Sequence, residues 1–377
     1  MRMEIKSQGN RKLTAKRIRE YNSIIEGTIQ FNKDEEFVFM ESTLKKYARK
    51  IERGEVNPHI HYDGKASGLI LDPFRKEVPL EVLGFGIYQL NSHLVVRETG
   101  GKEIVLVPQE GSFEAEVNGK RFSGKRTGGP FQDPSGKSNA SALYIPCNSR
   151  LRIRGKGEVA FFEAPALKEK PAFFLSNQQL QSVSRGEWIW RRNVTPLISP
   201  KDASSNLVVG ETYNPPGFWS GTPPHLHDKQ KPQAGESSHE EVYYHRFNWR
   251  KGPHDQIGPY GVQLLMDGKR LMKAFLIGDK SIFAIPGGSH PVVASPFSEL
   301  IYLWGLAGRG EALMMRDLPE FAHLKSFEEF FKSLERIRKG KILTHEKFKT
   351  LCASYSLKGE QKVLLTAMLR EKGYEID

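Results

Sequence analysis

The spacing of apolar residues changes twice along this chain. Between 13 and 53 it follows helical stripes: "LTAKRIREYNSII" aligns Leu13, Ile18, Tyr21 and Ile25, and "ESTLKKYARKIERG" aligns Leu44, Tyr47 and Ile51 ahead of a glycine stop. From about 63 to 170 apolar and polar residues alternate in short runs broken by Gly, Pro and Asn, among them "GFGIYQL", "EIVLVPQEG", "FEAEVNGKRF" and "LRIRGKGEVAFFEAP". Within them "VNGK" is a two-residue hairpin signal between alternating flanks. A connector at 171–200 carries "EWIWRRNV". A second block of the same texture then occupies 201–315, with "SNLVVGETYN", "EEVYYHRFN", "SIFAIPGG" and "ELIYLWGLAG". Beyond 316 helical spacing returns in "SFEEFFKSLERIRKG", "THEKFKTLCASYS" and "GEQKVLLTAMLREKG". The pattern predicts a mainly β protein with two sandwich- or barrel-like domains, 63–170 and 201–315, and helical extensions at 1–62 and 316–377. The similar lengths of the two β blocks point to a duplicated double-stranded barrel, although no repeat in the letters establishes duplication.

Length and charge narrow the function classes. A chain of 377 residues suits two or three cores rather than one. Its net charge of +12 raises the question of nucleic acid, but the excess is spread, at +4 over 1–70, +5 over 71–315 and +3 over 316–377. Phosphate binders concentrate such charge on one face. The clusters Arg11/Lys12/Lys16/Arg17/Arg19 and Arg336/Arg338/Lys339/Lys341 read as solvated helix faces, so nucleic acid is not the expected partner. Cys147 and Cys352 offer no disulfide framework, the polar N-terminus lacks a signal-peptide core, and no apolar run is long enough to span a bilayer. A reducing cytoplasm is the expected location, and the helical extensions are the expected place for self-association.

The chemistry concentrates in the second β block. "GTPPHLHD" sets His225 and His227 on one face of an extended segment, which Pro223 and Pro224 favour. In "EEVYYHR" alternation groups Glu241, Tyr243 and His245 on one face and Glu240, Val242, Tyr244 and Arg246 on the other. "IPGGSHP" ends a strand with a turn that presents His290. Three imidazoles and one carboxylate converging in a barrel suit Zn or Mn, and also Fe, Ni or Co. His239, in the polar "AGESSHEE" run, reads as exposed. The pair His59 and His61 has no downstream Glu and His at suitable spacing, and 63–170 holds no spaced His/His/Glu set, so a single metal is expected, in the second block.

The run "VVGETYNPPGFWSGTPPHLHD…EEVYYHRFN…IPGGSHPVVASP…LIYLWGLAG" resembles the 5-deoxy-glucuronate isomerases of inositol catabolism. These are bicupins, proteins of two double-stranded β-helix barrels, related to the 4-deoxy-5-hexosulose-uronate isomerases of pectin breakdown. The resemblance is densest over 205–308 and extends through "ALYIPCNS" and "FFEAPAL" of the first block. It implies a metal in the second barrel on His225, His227, Glu241 and His290, and an aldose–ketose isomerisation of a uronic acid. The helical ends have no counterpart in that family, and "MDGKRLMKAFLIGD" lacks the acidic segment expected between the corresponding strands.

The implied reaction moves a proton between C2 and C1. Tyr243 and His245, on the ligand face, are the candidates to shuttle it. Arg192 in "WRRNV", which resembles a family arginine, and Arg246 are the candidates to hold the substrate carboxylate. Two other functions fit the same residues: another metal-dependent cupin enzyme, such as an oxygenase acting on a small acid, and a non-catalytic sugar-sensing or partner-binding bicupin.

Overall fold

The computed structural model of the chain describes residues 38–133, 135–199, 204–231, 235–249, 258–267, 271–308, 313–335 and 343–376. The stripe expected at Leu13–Ile25 lies outside the described residues. The second N-terminal stripe forms helix α1 (Val38–Glu52), whose Leu44, Tyr47, Ala48 and Ile51 are buried against the second β region. C-terminal helices α2 (Ala322–Glu335), α3 (His345–Ser354) and α4 (Glu360–Glu371) follow the predicted stripes. No helix among the described residues is long and apolar enough to cross a membrane.

Two large antiparallel sheets make up the body. In chain order their strands are β1 (His59–His61), β2 (Gly68–Leu71), β3 (Gly84–Asn91), β4 (Lys102–Val117), β5 (Ala142–Ile145), β6 (Arg150–Pro165) and β7 (Phe173–Leu175). There follow β8 (Arg192–Ile198), β9 (Val208–Asn214), β10 (Glu236–Trp249), β11 (Ser281–Ile285) and β12 (Ser298–Gly308). The first sheet has the order β2-β3-β6-β4-β5-β7, and the second has β8-β9-β12-β10-β11-β1. Six strands follow the same order in each, and the second sheet carries one more, Val183–Arg185, paired to the outer edge of β8. Strand β1, from the N-terminal segment, completes the second sheet as β7 completes the first. The "VNGK" signal is realised as the hairpin from β4 to Lys120–Arg126, with Asn118 and Gly119 both at positive φ as such a two-residue turn requires.

Side-chain detail repeats as well. Gly86 of β3 pairs with Phe161 of β6, and Gly210 of β9 pairs with Trp304 of β12. A Cβ on either glycine would lie within 2.4 Å of the facing ring, so only glycine lets the aromatic lie across the strand. A reciprocal pair of buried glutamates ties the sheets together. Glu240 of β10 accepts the backbone N–H groups of Glu81, Val82 and Leu83, which lead into β3, at 2.8, 2.9 and 3.0 Å. Glu103 of β4 accepts those of Ser205, Asn206 and Leu207, which lead into β9.

The second sheet is buried on both faces. Val242 and Tyr244 join Val209, Leu303 and Ala307 in one core with Phe85, Val105 and Phe162 of the first sheet. Tyr243, Phe247, Ile285 and Tyr302 point the other way, towards a four-stranded sheet of Trp219–Ser220, Val292–Ala294, Tyr260–Met266 and Met272–Gly278. Alternation in β10 thus divides its residues as expected, and the odd-numbered face looks into the space between these two sheets.

Candidate metal centre

Three of the candidate ligands, Glu241, His225 and His290, sit where the backbone is stiffened. Glu241 lies mid-sheet in β10, paired with Ile285 on one side and Leu306 on the other. His225 begins the short strand His225–Leu226, which pairs with Arg316–Asp317 from beyond the second β region. His290 follows a turn in which Gly287 and Gly288 take positive φ. A side chain at Gly288 would strike the Met266 carbonyl.

The fold brings the four together. Imidazole nitrogens of His225, His227 and His290 lie within 4.8 Å of one another. Oε2 of Glu241 is 3.1 Å from Nε2 of His227 and 3.0 Å from Nε2 of His290, and those two nitrogens are 3.4 Å apart. The opposite ring nitrogens face carbonyls: Nδ1 of His225 donates to Pro223 O at 2.9 Å, that of His227 to His239 O at 3.0 Å, and that of His290 to Gly288 O at 2.7 Å. A carbonyl only accepts, so Nδ1 carries the proton of each neutral ring and Nε2 presents a lone pair. Two lone pairs and a carboxylate this close need a cation among them. One proton serves a single pair, whereas ligands at about 2.0–2.2 Å from a shared ion stand roughly 3.0–3.5 Å apart. The donor set fits a divalent metal.

Burial acts differently on the members of the set. It pushes His225 down to about 3, helped by His290 and His227. It would raise Glu241, but the His227 and His290 rings against the carboxylate outweigh it and hold the carboxyl at about 2, while Glu241 in turn raises His227 against that ring's own burial. The equivalent positions of the first sheet carry no such set. Ile104 pairs with Ile145 as Glu241 pairs with Ile285, and "IPCNSR" replaces "IPGGSH", with Arg150 in the place of His290. Ile104 and Leu106 are buried there in an apolar cluster.

Around the four ligands the expected residues divide. Tyr243 is buried beside His290, ring centroids 5.8 Å apart, and burial holds its phenol well above its usual range. His245 lies behind Tyr243 with both nitrogens engaged, Nδ1 with Ser281 O at 3.1 Å and Nε2 with Gln263 Oε1 at 3.3 Å. Burial lowers Arg192, while Tyr302, Glu328 and Tyr243 oppose the shift, so its guanidinium belongs to this face of the sheet. Arg246 is not brought to the site: it points to the other face and binds Asp279 at 2.9 Å, with Glu158 at 3.9 Å. His239, expected exposed, is fully buried, because β10 already begins at Glu236 and is covered on both faces. Sequence reasoning passed over Tyr302, whose ring lies 4.5 Å from that of Tyr243 and whose hydroxyl is 2.5 Å from Ser220 Oγ. Its signal was a phenol on the alternating face of an otherwise apolar strand, "ELIYLWG".

Comparison with known proteins identifies the family. The model of the KduI/IolB family matches residues 60–324. A 5-deoxy-glucuronate isomerase of Geobacillus thermodenitrificans is 27% identical over 244 residues, covering 64% of this chain and 85% of that protein. The 5-deoxy-glucuronate isomerase of Bacillus subtilis strain 168 is 30% identical over 170 residues, covering 44% and 60%. Among solved structures, an IolB-like protein from Salmonella typhimurium LT2 superposes with a TM-score of 0.63 at 22% identity, over 72% of this chain and all of that one. The chain belongs to the KduI/IolB family, whose curated relatives are isomerases.

Proposed function

We propose that this protein is a metal-dependent aldose–ketose isomerase of bicupin architecture, acting on a uronic acid such as 5-deoxy-glucuronate. On this reading the two β regions, 63–170 and 201–315, are cupin barrels, and only the second holds a metal, on His225, His227, Glu241 and His290. Zn or Mn is the first expectation for three imidazoles and a carboxylate, with Fe, Ni or Co as the others. The observation that carries the reading is the common orientation of the three rings, each tied through Nδ1 to a carbonyl so that Nε2 is left for a cation. The substrate class comes from the relatives, which are named 5-deoxy-glucuronate isomerases.

When bound, the ion supplies positive charge against the substrate oxygens on which negative charge develops. Tyr243, kept protonated by burial, donates to a substrate oxygen and relays the proton that moves between C2 and C1, with Tyr302 and Ser220 behind it. His245, engaged at both nitrogens, holds the floor under the Tyr243 ring rather than serving as the base. Arg192 takes the substrate carboxylate. The test is to incubate metal-loaded protein with a panel of aldo- and keto-uronates and follow interconversion by NMR. Conversion of at least one pair is expected; silence across the panel with metal confirmed bound overturns the reading.

A further inference from the structure

Helices α2–α4 lie almost wholly beyond the family match, which ends at residue 324, yet they grip the turn that leads into Arg192. That turn, Trp188–Trp190, is held at three points. Trp190 Nε1 donates to Glu328 of α2 at 3.0 Å, the Trp188 indole donates to Glu371 of α4, and Lys372, just past α4, pairs with Glu187. Trp190 is buried in one cluster with Phe327, Phe330 and Phe331. The grip passes directly to Arg192, whose Nη1 donates to the Trp190 carbonyl at 3.2 Å. The fold is tight there: a side chain at Gly186 would strike the Trp190 carbonyl at 2.2 Å and the Arg192 guanidinium at 2.7 Å. Among the described residues Arg192 has no ion-pair partner, and the nearby Glu328 carboxylate is engaged by the Trp190 indole. A set-in guanidinium whose neighbouring carboxylate is bonded elsewhere can take an anion from outside.

We infer that the C-terminal helices are the positioning element for the anion-binding end of the site, with Glu328, acting through Trp190, fixing where Arg192 presents its guanidinium to an acid sugar. The inference rests on the proposed role of Arg192 as the carboxylate ligand. Glu328 and Trp190 are positioning residues and touch no reacting atom.

The experiment compares Glu328→Leu, Glu328→Gln and Trp190→Phe with the full-length metal-loaded protein. Glucuronate and glucose binding are measured by calorimetry, and uronate turnover in parallel. Glu328→Leu and Trp190→Phe should weaken glucuronate binding and raise KM about tenfold, leaving kcat and metal content within about twofold and glucose binding unchanged. Glu328→Gln should restore the original values, because its amide oxygen still accepts the indole N–H. Equal loss on acid and neutral sugar, no loss at all, or failure of the Gln variant to rescue each overturns the positioning role. If Glu328→Leu does not fold, Trp190→Phe and the Gln variant carry the same decision. Selective weakening of glucuronate binding in a protein that turns over no uronate upholds the positioning role and overturns the isomerase reading. Wild-type protein that binds no glucuronate overturns the anion site itself.

Discussion

A carbonyl behind each imidazole does more for the candidate metal centre than the histidines alone would. Pro223, His239 and Gly288 supply those carbonyls, so the tautomer is set by backbone that no side-chain substitution removes. His225→Ala or His290→Ala should therefore lose most of about one bound equivalent of metal, measured by elemental analysis of the purified protein. Glu241→Gln, with its shape kept and its charge gone, should weaken metal binding at least as much as the about 10–100-fold typical of losing a group behind a ligand; full retention in a His225→Ala/His227→Ala double variant would remove the assignment. His239 allows a separate prediction about pH. Its Nδ1 faces Ser237 Oγ at 2.9 Å, its Nε2 is buried without a partner, and burial pushes the ring down to about 3. Because the folded pKa lies below the unfolded value of about 6.5, the unfolded chain binds the extra proton between them. Stability from this residue is complete above about 6.5 and drains away as pH falls towards 3, by at most about 1.4 kcal/mol per pH unit. In metal-free protein, His239→Asn should flatten the fall in urea-unfolding free energy between pH 6.5 and 4.5, and an unchanged slope would show that other groups set the acid limb.

At the scale of single elements, much was legible and the reason is period. Alternation in "EEVYYHR" separated Glu241, Tyr243 and His245 from Glu240, Val242, Tyr244 and Arg246, and the two faces of β10 are divided that way. The pattern failed at "AGESSHEE", because polar letters there denote a strand whose polar groups meet one another, as Ser237 meets His239, rather than water. Block length pointed to a duplication, but no repeat in the letters established the likeness of the two sheets. That likeness resides in cross-strand pairs far apart in the chain, Gly86 with Phe161 and Gly210 with Trp304, and in the exchange of Glu103 and Glu240 between sheets. Nothing in a linear reading of β10 marks Glu240 as the acceptor for three N–H groups near residue 82. Burial pushes its carboxyl up to about 7 against the pull of those donors. Glu240→Leu would leave two buried donors and one part-buried donor without an acceptor and should cost about 3 kcal/mol or more in urea unfolding, with Glu240→Gln costing less because one oxygen remains. A loss below about 1 kcal/mol for the Leu variant would mean that the 81–83 loop finds other acceptors.

For the molecule as a whole, the same strand order serves two different purposes. The first sheet fills its inner face with Ile104, Leu106, Phe113 and Phe161, while the second opens the equivalent face to four ligating side chains. The apolar half thereby backs the polar one: the shared core joins Phe85, Val105 and Phe162 to Val242, Tyr244 and Leu303, and the Arg126 guanidinium of the first region is buried against Glu211 of β9 at 2.5 and 2.9 Å. Separating the regions would expose that core to water and break the buried Arg126–Glu211 pair, and the lost apolar burial is a cost that neither region meets alone. The halves should therefore unfold together. This gives the metal a reach beyond its own ligands, since an ion that binds only the folded chain stabilises whatever unfolds cooperatively with its site, by about 2.7 kcal/mol at one hundred times its Kd. Calorimetry of the metal-loaded protein should show the two β regions melting in one transition, and stripping the metal with a chelator should move that whole transition downward. If the regions were independent, the scan would split and only the component containing β8–β12 would respond to the chelator.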